Sequence, residues 1–297
     1  MRRSYLSADF SASRLAEAKG QRRVSVCIPA RDEEATVGAI VASIRAELSE
    51  GVALVDEIVV VDDGSVDATA ESARAAGARV VAASDVLAEY PGPGKGQAMW
   101  KGVRASTGDV IVFCDADIVA FEPGFVVGLA GPLLLRDDVA FVKGFYDRPL
   151  GDLRGEGGRV TELTARPLIS TFFPHLADVV QPLSGECAAR RDVLETLPFV
   201  AGYGVDLGLL IDVTRRFGDA SLVQCDLGQR VHRNRPLSEL GPQALAVLQA
   251  VLARAGVAVP SLPPRSATLV RPRAEPVRVE HRELPPLSAV VGRRKSA

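Results

Sequence analysis

Between residues 24 and 117, short runs of β-branched residues alternate with longer alanine-rich amphipathic segments, the pattern of a parallel sheet covered by helices. VSVCIPA, residues 24–30, reads as a buried strand. Residues 34–48 follow as a helix in which Val37, Ile40, Val41 and Ile44 recur at helical spacing. EIVVVDDGS, residues 57–65, is a second apolar strand running into an acidic turn, and a helix spans residues 67–76. ARVVAA, residues 78–83, is a third short strand, and GDVIVFCDAD, residues 108–117, a fourth that ends in two aspartates. Polar residues therefore collect where strands end, the edge at which open α/β sheets bind ligands.

The alternation continues less regularly through VAFVKGFYDR (139–148), a glycine-rich loop at 151–158 and a helical stretch through VTELTARPLIS. A helix over 204–217, a strand over 221–225 and a helix over 237–254 follow. From Pro260 the chain is rich in proline and arginine with little periodicity. From Arg265 it carries eight Lys/Arg against three Glu, which predicts a mobile or surface-wrapped tail. There are no internal repeats.

With 297 residues, 47% hydrophobic and 24% charged, the chain can bury the core of one large domain or of one domain with a small extension. Its 35 basic and 37 acidic side chains leave a formal charge of -2, without the positive excess that tracks a nucleic-acid backbone. Nucleic acid is thus not an expected partner. Cys27, Cys114, Cys187 and Cys225 lie far apart in apolar stretches and form no C-x-x-C pair, so reduced, buried thiols are expected. The N-terminus lacks a continuous apolar segment and no stretch is long and apolar enough to span a bilayer, so the expected location is the cytoplasm.

Asp115-Ala116-Asp117, directly after the strand VIVFC, is the strongest chemical feature: two strand-end carboxylates can offer hard oxygen ligands to a divalent cation that also binds a diphosphate. A D-x-D alone is more often a solvated turn; its position behind an apolar strand reverses that balance in favour of the metal. Asp62-Asp63-Gly64-Ser65 reads both as a turn, with Asp67 capping the next helix, and as an edge carboxylate for a base or ribose. In the loop YPGPGKG, residues 90–96, Lys95 stands among glycines before a helix, an anion site or a surface turn without the Walker spacing. His232 lies in RVHRNRP, where Arg230, Arg233, Arg235 and Asn234 suit an anionic ligand or a solvated basic face. GGRVT, residues 157–161, opens a helix with the groups a phosphate needs, or is simply a loop. Residues 182–186 and 202–206 set Glu186 and Asp206 beside glycine turns, where backbone can approach a sugar closely.

Taken together, IPARDEEATV, VVDDGS, PGPGKGQAMW, FCDAD, GGRVTEL, QPLSGE, GYGVDLGLLID and VHRNRPLSELG resemble the glucosyl-3-phosphoglycerate synthases and their mannosyl relatives, over residues 24–256. The resemblance implies an α/β fold of GT-A type, transfer of glucose from UDP-glucose to 3-phosphoglycerate with retention of configuration, and a homodimer. It implies an N-terminal extension (1–22), a nucleotide-sugar-binding half (23–146), an acceptor-binding half (147–258) and a tail (259–297). By motif, Pro29, Ala30, Arg31, Glu33, Asp62 or its neighbours, Lys95 and Asp115 would meet the nucleotide sugar. Gly158, Arg159, Thr161 and Asn234 would meet the acceptor. Asp117 and His232 would hold Mg²⁺ or Mn²⁺, and Lys95 and Asp206 would serve catalysis. Two positions depart from the family pattern: Arg31-Asp32 stands where Asn is usual before Glu-Glu, and Asp206 where Glu is usual. The 151–158 loop is also short. Competing readings are the same reaction with GDP-mannose, a nucleotidyltransferase, and a non-catalytic nucleotide-sugar binding protein. The first strand lacks the glycine-rich stretch a nucleotidyltransferase needs, and Asp115, Asp117 and His232 together argue against the last.

Overall fold

The computed structural model describes residues 2–147, 158–229, 237–257, 266–272 and 274–294. The strands are β1 (Ser4–Leu6), β2 (Val24–Ala30), β3 (Glu57–Asp62), β4 (Arg79–Ala82), β5 (Val110–Phe113), β6 (Phe141–Asp147), β7 (Cys187–Arg190), β8 (Phe199–Val200), β9 (Leu222–Gln229), β10 (Ser266–Arg271), β11 (Ala274–Glu280) and β12 (Glu283–Leu284). The helices are α1 (Ala12–Ala18), α2 (Val37–Ile44), α3 (Thr69–Ala75), α4 (Lys95–Ala105), α5 (Gly124–Leu135), α6 (Arg166–Phe172), α7 (Arg191–Leu194), α8 (Val205–Phe217), α9 (Leu237–Ala255) and α10 (Leu287–Arg294).

The four apolar runs read between residues 24 and 117 become one half, β5-β2-β3-β4, of an eight-stranded sheet of order β1-β9-β6-β7-β5-β2-β3-β4. β7 runs antiparallel to both neighbours, β5 and β6, and the other pairings are parallel. Because successive strand residues face opposite sides, β2 and β3 divide between two cores. Val26, Ile28, Ile58 and Val60 pack with α2 and α5. Cys27, Val59 and Val61 pack with Met99, Trp100 and the apolar side of α8. Both sheet faces being covered explains why these strands read as unbroken apolar runs.

The helix expected over 34–48 begins only at Val37 and passes at Ile44 into a π-helical stretch, Arg45–Gly51. Residues 31–36 are occupied differently, lacing the turn after β2 to the turn after β3. Glu33 N donates to Thr69 Oγ1, Glu34 N to Asp67 Oδ2, Val66 N to Asp32 Oδ1 and Ala68 N to Glu34 Oε2. Asp67 also accepts from Thr69 N, but it precedes the helix cap instead of forming it: α3 is capped at Ala68, without a side-chain cap bond.

Two regions that carried no clear signal form regular elements among the described residues. In α5, ten of twelve residues are buried, so no amphipathic stripe exists to be read, and Pro132 sits inside the helix. Where the tail is described, it is ordered into elements rather than trailing over the surface: β10 and β11 form an antiparallel hairpin, β12 pairs with β8, and Leu284, Leu287 and Val290 are buried. The N-terminal segment is likewise part of the sheet, β1 pairing with β9, while Phe10 and Ser7 pack so close to Gly131 and Gly128 of α5 that a Cβ at either glycine would collide. Among the described residues no helix is long and apolar enough to cross a membrane.

Candidate functional site

A cleft of about 300 Å³ opens at the carboxyl ends of the central strands. β2 delivers Pro29 and Ala30 and, in the turn beyond, Arg31 and Glu33. β3 delivers Asp63, the start of α4 delivers Lys95, and β5 leads into Asp115, Ala116 and Asp117. Pro93, Gly94, Ala98 and Tyr203 complete the wall. Of the nucleotide-sugar residues expected from the sequence, Pro29, Ala30, Arg31, Glu33, Lys95 and Asp115 therefore meet in one place, with Asp117. Asp62 is turned into its own bend, where it accepts from Ser65 N at 3.0 Å, and its neighbour Asp63 faces the cleft instead.

The centre of the cleft is ionic. Lys95 Nζ lies 3.1 Å from Asp115 Oδ1 and 3.3 Å from Asp206 Oδ2. Asp206 Oδ1 lies 3.4 Å from Lys143 Nζ, which donates to Ser184 O at 2.6 Å. Burial opposes the charge on Lys95, but Asp115, Asp206 and Glu186 outweigh it and hold the ammonium protonated well above the usual lysine range. Asp206 and Lys143 are buried, 5% and 1% exposed, so Asp206 stands behind Lys95 rather than in the cleft wall.

Backbone geometry fixes this centre. Thr36 Oγ1 donates to Ala116 O at 2.6 Å, holding the Asp-Ala-Asp segment against the turn after β2. A Cβ at Gly185 would run into the Asp115 carboxylate, so only glycine fits there. Gly94 adopts φ +138°, open to glycine alone, and its N–H donates to Asp63 Oδ2 at 2.8 Å. Burial raises the pKa of Asp63 more than this bond and Arg31 lower it.

The expected acceptor residues lie elsewhere or outside the described residues. Gly158, at φ +87°, and the buried Thr161 adjoin one another. Arg159 lines a second, more apolar concavity of about 410 Å³ with Leu163, Leu240, Gly241, Leu269 and Arg271. His232 and Asn234, with Arg230, Arg233 and Arg235, fall outside the described residues. Sequence reasoning missed Lys143, whose signal was a lysine inside the apolar run VAFVKGF. Tyr203 and Gly185 lie within the glycine turns of residues 202–206 and 182–186, and neither carries a local signal for its place at this centre.

A divalent cation fits the donor chemistry present. Asp115 and Asp117, both in the cleft wall, offer hard oxygen donors of the kind Mg²⁺ and Mn²⁺ take. Among the described residues no three His, Cys, Asp or Glu converge, so the remaining ligands have to come from the diphosphate, water or the segment containing His232.

Residues 25–197 match the model of glycosyl transferase family 2. The glucosyl-3-phosphoglycerate synthase of Mycolicibacterium paratuberculosis is 48% identical over 263 residues, 86% of this chain and 79% of that protein. That of Petrotoga mobilis is 45% identical over 78% of this chain and 73% of its own. The crystal structure of the Mycobacterium tuberculosis enzyme in complex with Mn²⁺, UDP-glucose and phosphoglyceric acid superposes with a TM-score of 0.88 at 41% identity, covering 97% of this chain and 99% of that one. A second crystal structure of that enzyme holds Mn²⁺, UDP and glucosyl-3-phosphoglycerate, with a TM-score of 0.86, 40% identity and coverage of 98% and 100%. With a shared fold, a family-model match over most of the sheet and near-full-length identity of this order, the chain belongs to the glucosyl-3-phosphoglycerate synthases of glycosyl transferase family 2.

Proposed function

We propose that this protein is a metal-dependent, retaining glucosyltransferase that moves glucose from UDP-glucose to 3-phosphoglycerate, giving glucosyl-3-phosphoglycerate. The observation that carries the reading is the near-complete overlay on a relative whose crystal structures hold donor, acceptor and product. The cleft supports it: an anchored lysine and two strand-end aspartates at the carboxyl edge of the sheet suit a nucleoside diphosphate and its cation.

Asp117 and His232 would hold Mg²⁺ or Mn²⁺, which supplies Lewis-acid neutralisation of the leaving diphosphate when bound. Pro29, Ala30, Arg31, Glu33 and Asp63, with Asp62 behind it, form the nucleotide end of the cleft. Lys95, kept protonated by its carboxylates, offsets negative charge developing on the departing UDP without giving up its proton. Asp206 acts through Lys95: set back from the cleft between two ammonium groups, it serves as counter-charge rather than nucleophile, which favours displacement on one face of the sugar. Gly158, Arg159, Thr161 and Asn234 would orient the acceptor's phosphate and carboxylate, so that positioning supplies much of the rate. On this reading residues 23–146 form the donor half and 147–258 the acceptor half. A homodimer and a cytoplasmic location are the finer expectations. Four buried free thiols support the second.

The test is release of nucleotide with Mg²⁺ and 3-phosphoglycerate, from UDP-glucose and from GDP-mannose in parallel. UDP release that requires the acceptor and disappears in Asp117→Ala is the expected outcome. Acceptor-dependent release of GDP would reassign the sugar, and no acceptor-dependent release from either donor would overturn the phosphoglycerate reading. Sedimentation at micromolar concentration distinguishes dimer from monomer.

A further inference from the structure

The basic tail takes no part in the chemistry above, yet it reaches the donor cleft from behind. β12 pairs antiparallel with β8, Glu283 opposite Val200 and Leu284 opposite Phe199. One residue beyond the pair, Ala201 N donates to Arg282 O at 2.8 Å, and Ala201 O accepts from Gln97 N in the first turn of α4 at 2.8 Å. A turn further along α4, Trp100 Nε1 donates to Pro285 O at 2.9 Å. The tail is thus hydrogen-bonded to the helix whose first residue is Lys95.

The Arg282 side chain makes the decisive contacts. Its Nη1 donates to Pro91 O, and its Nη2 donates to Gln97 Oε1 at 2.6 Å. Gln97 Nε2 in turn donates to Tyr90 O. One guanidinium and one amide therefore tie the loop of residues 90–94 to the start of α4. That loop supplies Pro93 and Gly94 to the cleft wall and leads directly into Lys95. It contains two glycines at positive φ, Gly92 at +108° and Gly94 at +138°, and a Cβ on Gly92 would stand 2.8 Å from Arg282 Nη2. Glycines give the loop the shape it needs but leave it the most backbone freedom to lose. An external clamp on such a loop removes that freedom before the ligand arrives.

We propose that Arg282 is a positioning residue for the nucleotide donor, holding the loop of residues 90–94 and the start of α4 in the shape that receives it. The inference rests on the proposed function, since the donor must occupy this cleft. Arginine suits the task because its fork reaches two acceptors, a backbone carbonyl and a side-chain amide, at once, whereas a lysine offers a single point charge.

The experiment compares Arg282→Ala and Arg282→Lys with the unaltered full-length protein. Steady-state rates give KM for UDP-glucose and for 3-phosphoglycerate, calorimetry gives the affinity for UDP with Mg²⁺, and thermal unfolding gives stability. In Arg282→Ala, KM for UDP-glucose and Kd for UDP rise about tenfold, the loss expected for one charge-assisted hydrogen bond. KM for 3-phosphoglycerate stays unchanged. Arg282→Lys, which keeps the charge and the long aliphatic stem, shows the same pattern with a rise of roughly threefold if one of the two contacts is kept. Lower melting temperature with unchanged donor KM and UDP affinity would make Arg282 merely structural and overturn the inference, as would no change in either variant. If the unaltered protein itself binds no UDP, the reading of the cleft falls first; if it binds UDP and both variants bind it equally well, only the role of Arg282 falls.

Discussion

Asp206 answers to two lysines, and its substitution separates charge from position. Removing its charge leaves Lys143, 1% exposed, beside a neutral side chain, and breaking a buried ion pair typically costs about 3 kcal/mol or more. Asp206→Asn should therefore lower unfolding stability in urea by roughly that amount, and reduce kcat because Lys95 loses one of its two anchors. If Asp206 were a cleft nucleophile, stability would change little while activity vanished. Gly185→Ala tests the opposite end of the same centre: its Cβ collides with the Asp115 carboxylate, so the Asp115–Lys95 contact must shift. Activity should fall by about a hundredfold, in line with displacing a group at the reacting centre by an ångström. A folded variant with unaltered kcat would remove Asp115 from the catalytic centre.

Among the elements, β2, β3, β4 and the turn before β5 are tied at the far end of the sheet by Glu57 of β3, which accepts from Ser25 Oγ at 2.6 Å, from Thr107 N and Oγ1, and from Arg79 at 3.1 Å. Burial disfavours its charge, yet these donors outweigh burial and hold its pKa below the ordinary carboxylate value. A carboxylate depressed in the folded state stabilises the protein fully above its unfolded pKa, about 4.3. That contribution is lost as pH falls through the lower folded value. Thermal unfolding followed downward from pH 7 should accordingly show a loss of stability setting in below about pH 4.5. Glu57→Gln should be less stable at neutral pH and show a shallower decline in acid. An unchanged acid limb in the variant would mean that other carboxylates dominate it.

For the whole molecule, the tail is a structural part rather than an appendage. Leu284, Leu287 and Val290 are buried in the same core as Trp100, the protein's one tryptophan, and Pro285 O accepts from its indole. Burying each of those side chains is worth about 1.5–3 kcal/mol, together a large share of the 5–15 kcal/mol that holds an ordinary domain folded. Truncation after residue 280 should therefore drop the melting temperature by about 10 °C or more, and shift Trp100 emission to the red as water reaches the indole. A truncated protein with unchanged melting temperature and emission would contradict this packing.

The repeated apolar runs and the acidic strand ends of residues 24–117 were enough to predict a helix-covered parallel sheet and its ligand-binding edge, because local periodicity and burial on both faces leave their mark on consecutive residues. Asp115 and Asp117 were legible for the same reason, lying at the end of a clear apolar strand, and Lys95 stood out among the glycines before its helix, whereas Pro29 and Glu33 were expected only from the resemblance to the family. Other features had no local signature. The buried helix α5 has no polar face, and the pairing of β12 with β8 joins residues more than eighty positions apart. The choice of Asp63 over Asp62 depends on which carboxylate the Gly94 amide meets, and the inward position of Asp206 depends on Lys143 arriving from β6. The hydrogen bonds from Arg282 to Pro91 and Gln97 belong to this group as well. Periodicity records what a residue's own element requires, whereas charge pairing, close glycine contacts and strand partners are set by segments distant in the chain, which only the tertiary structure brings together.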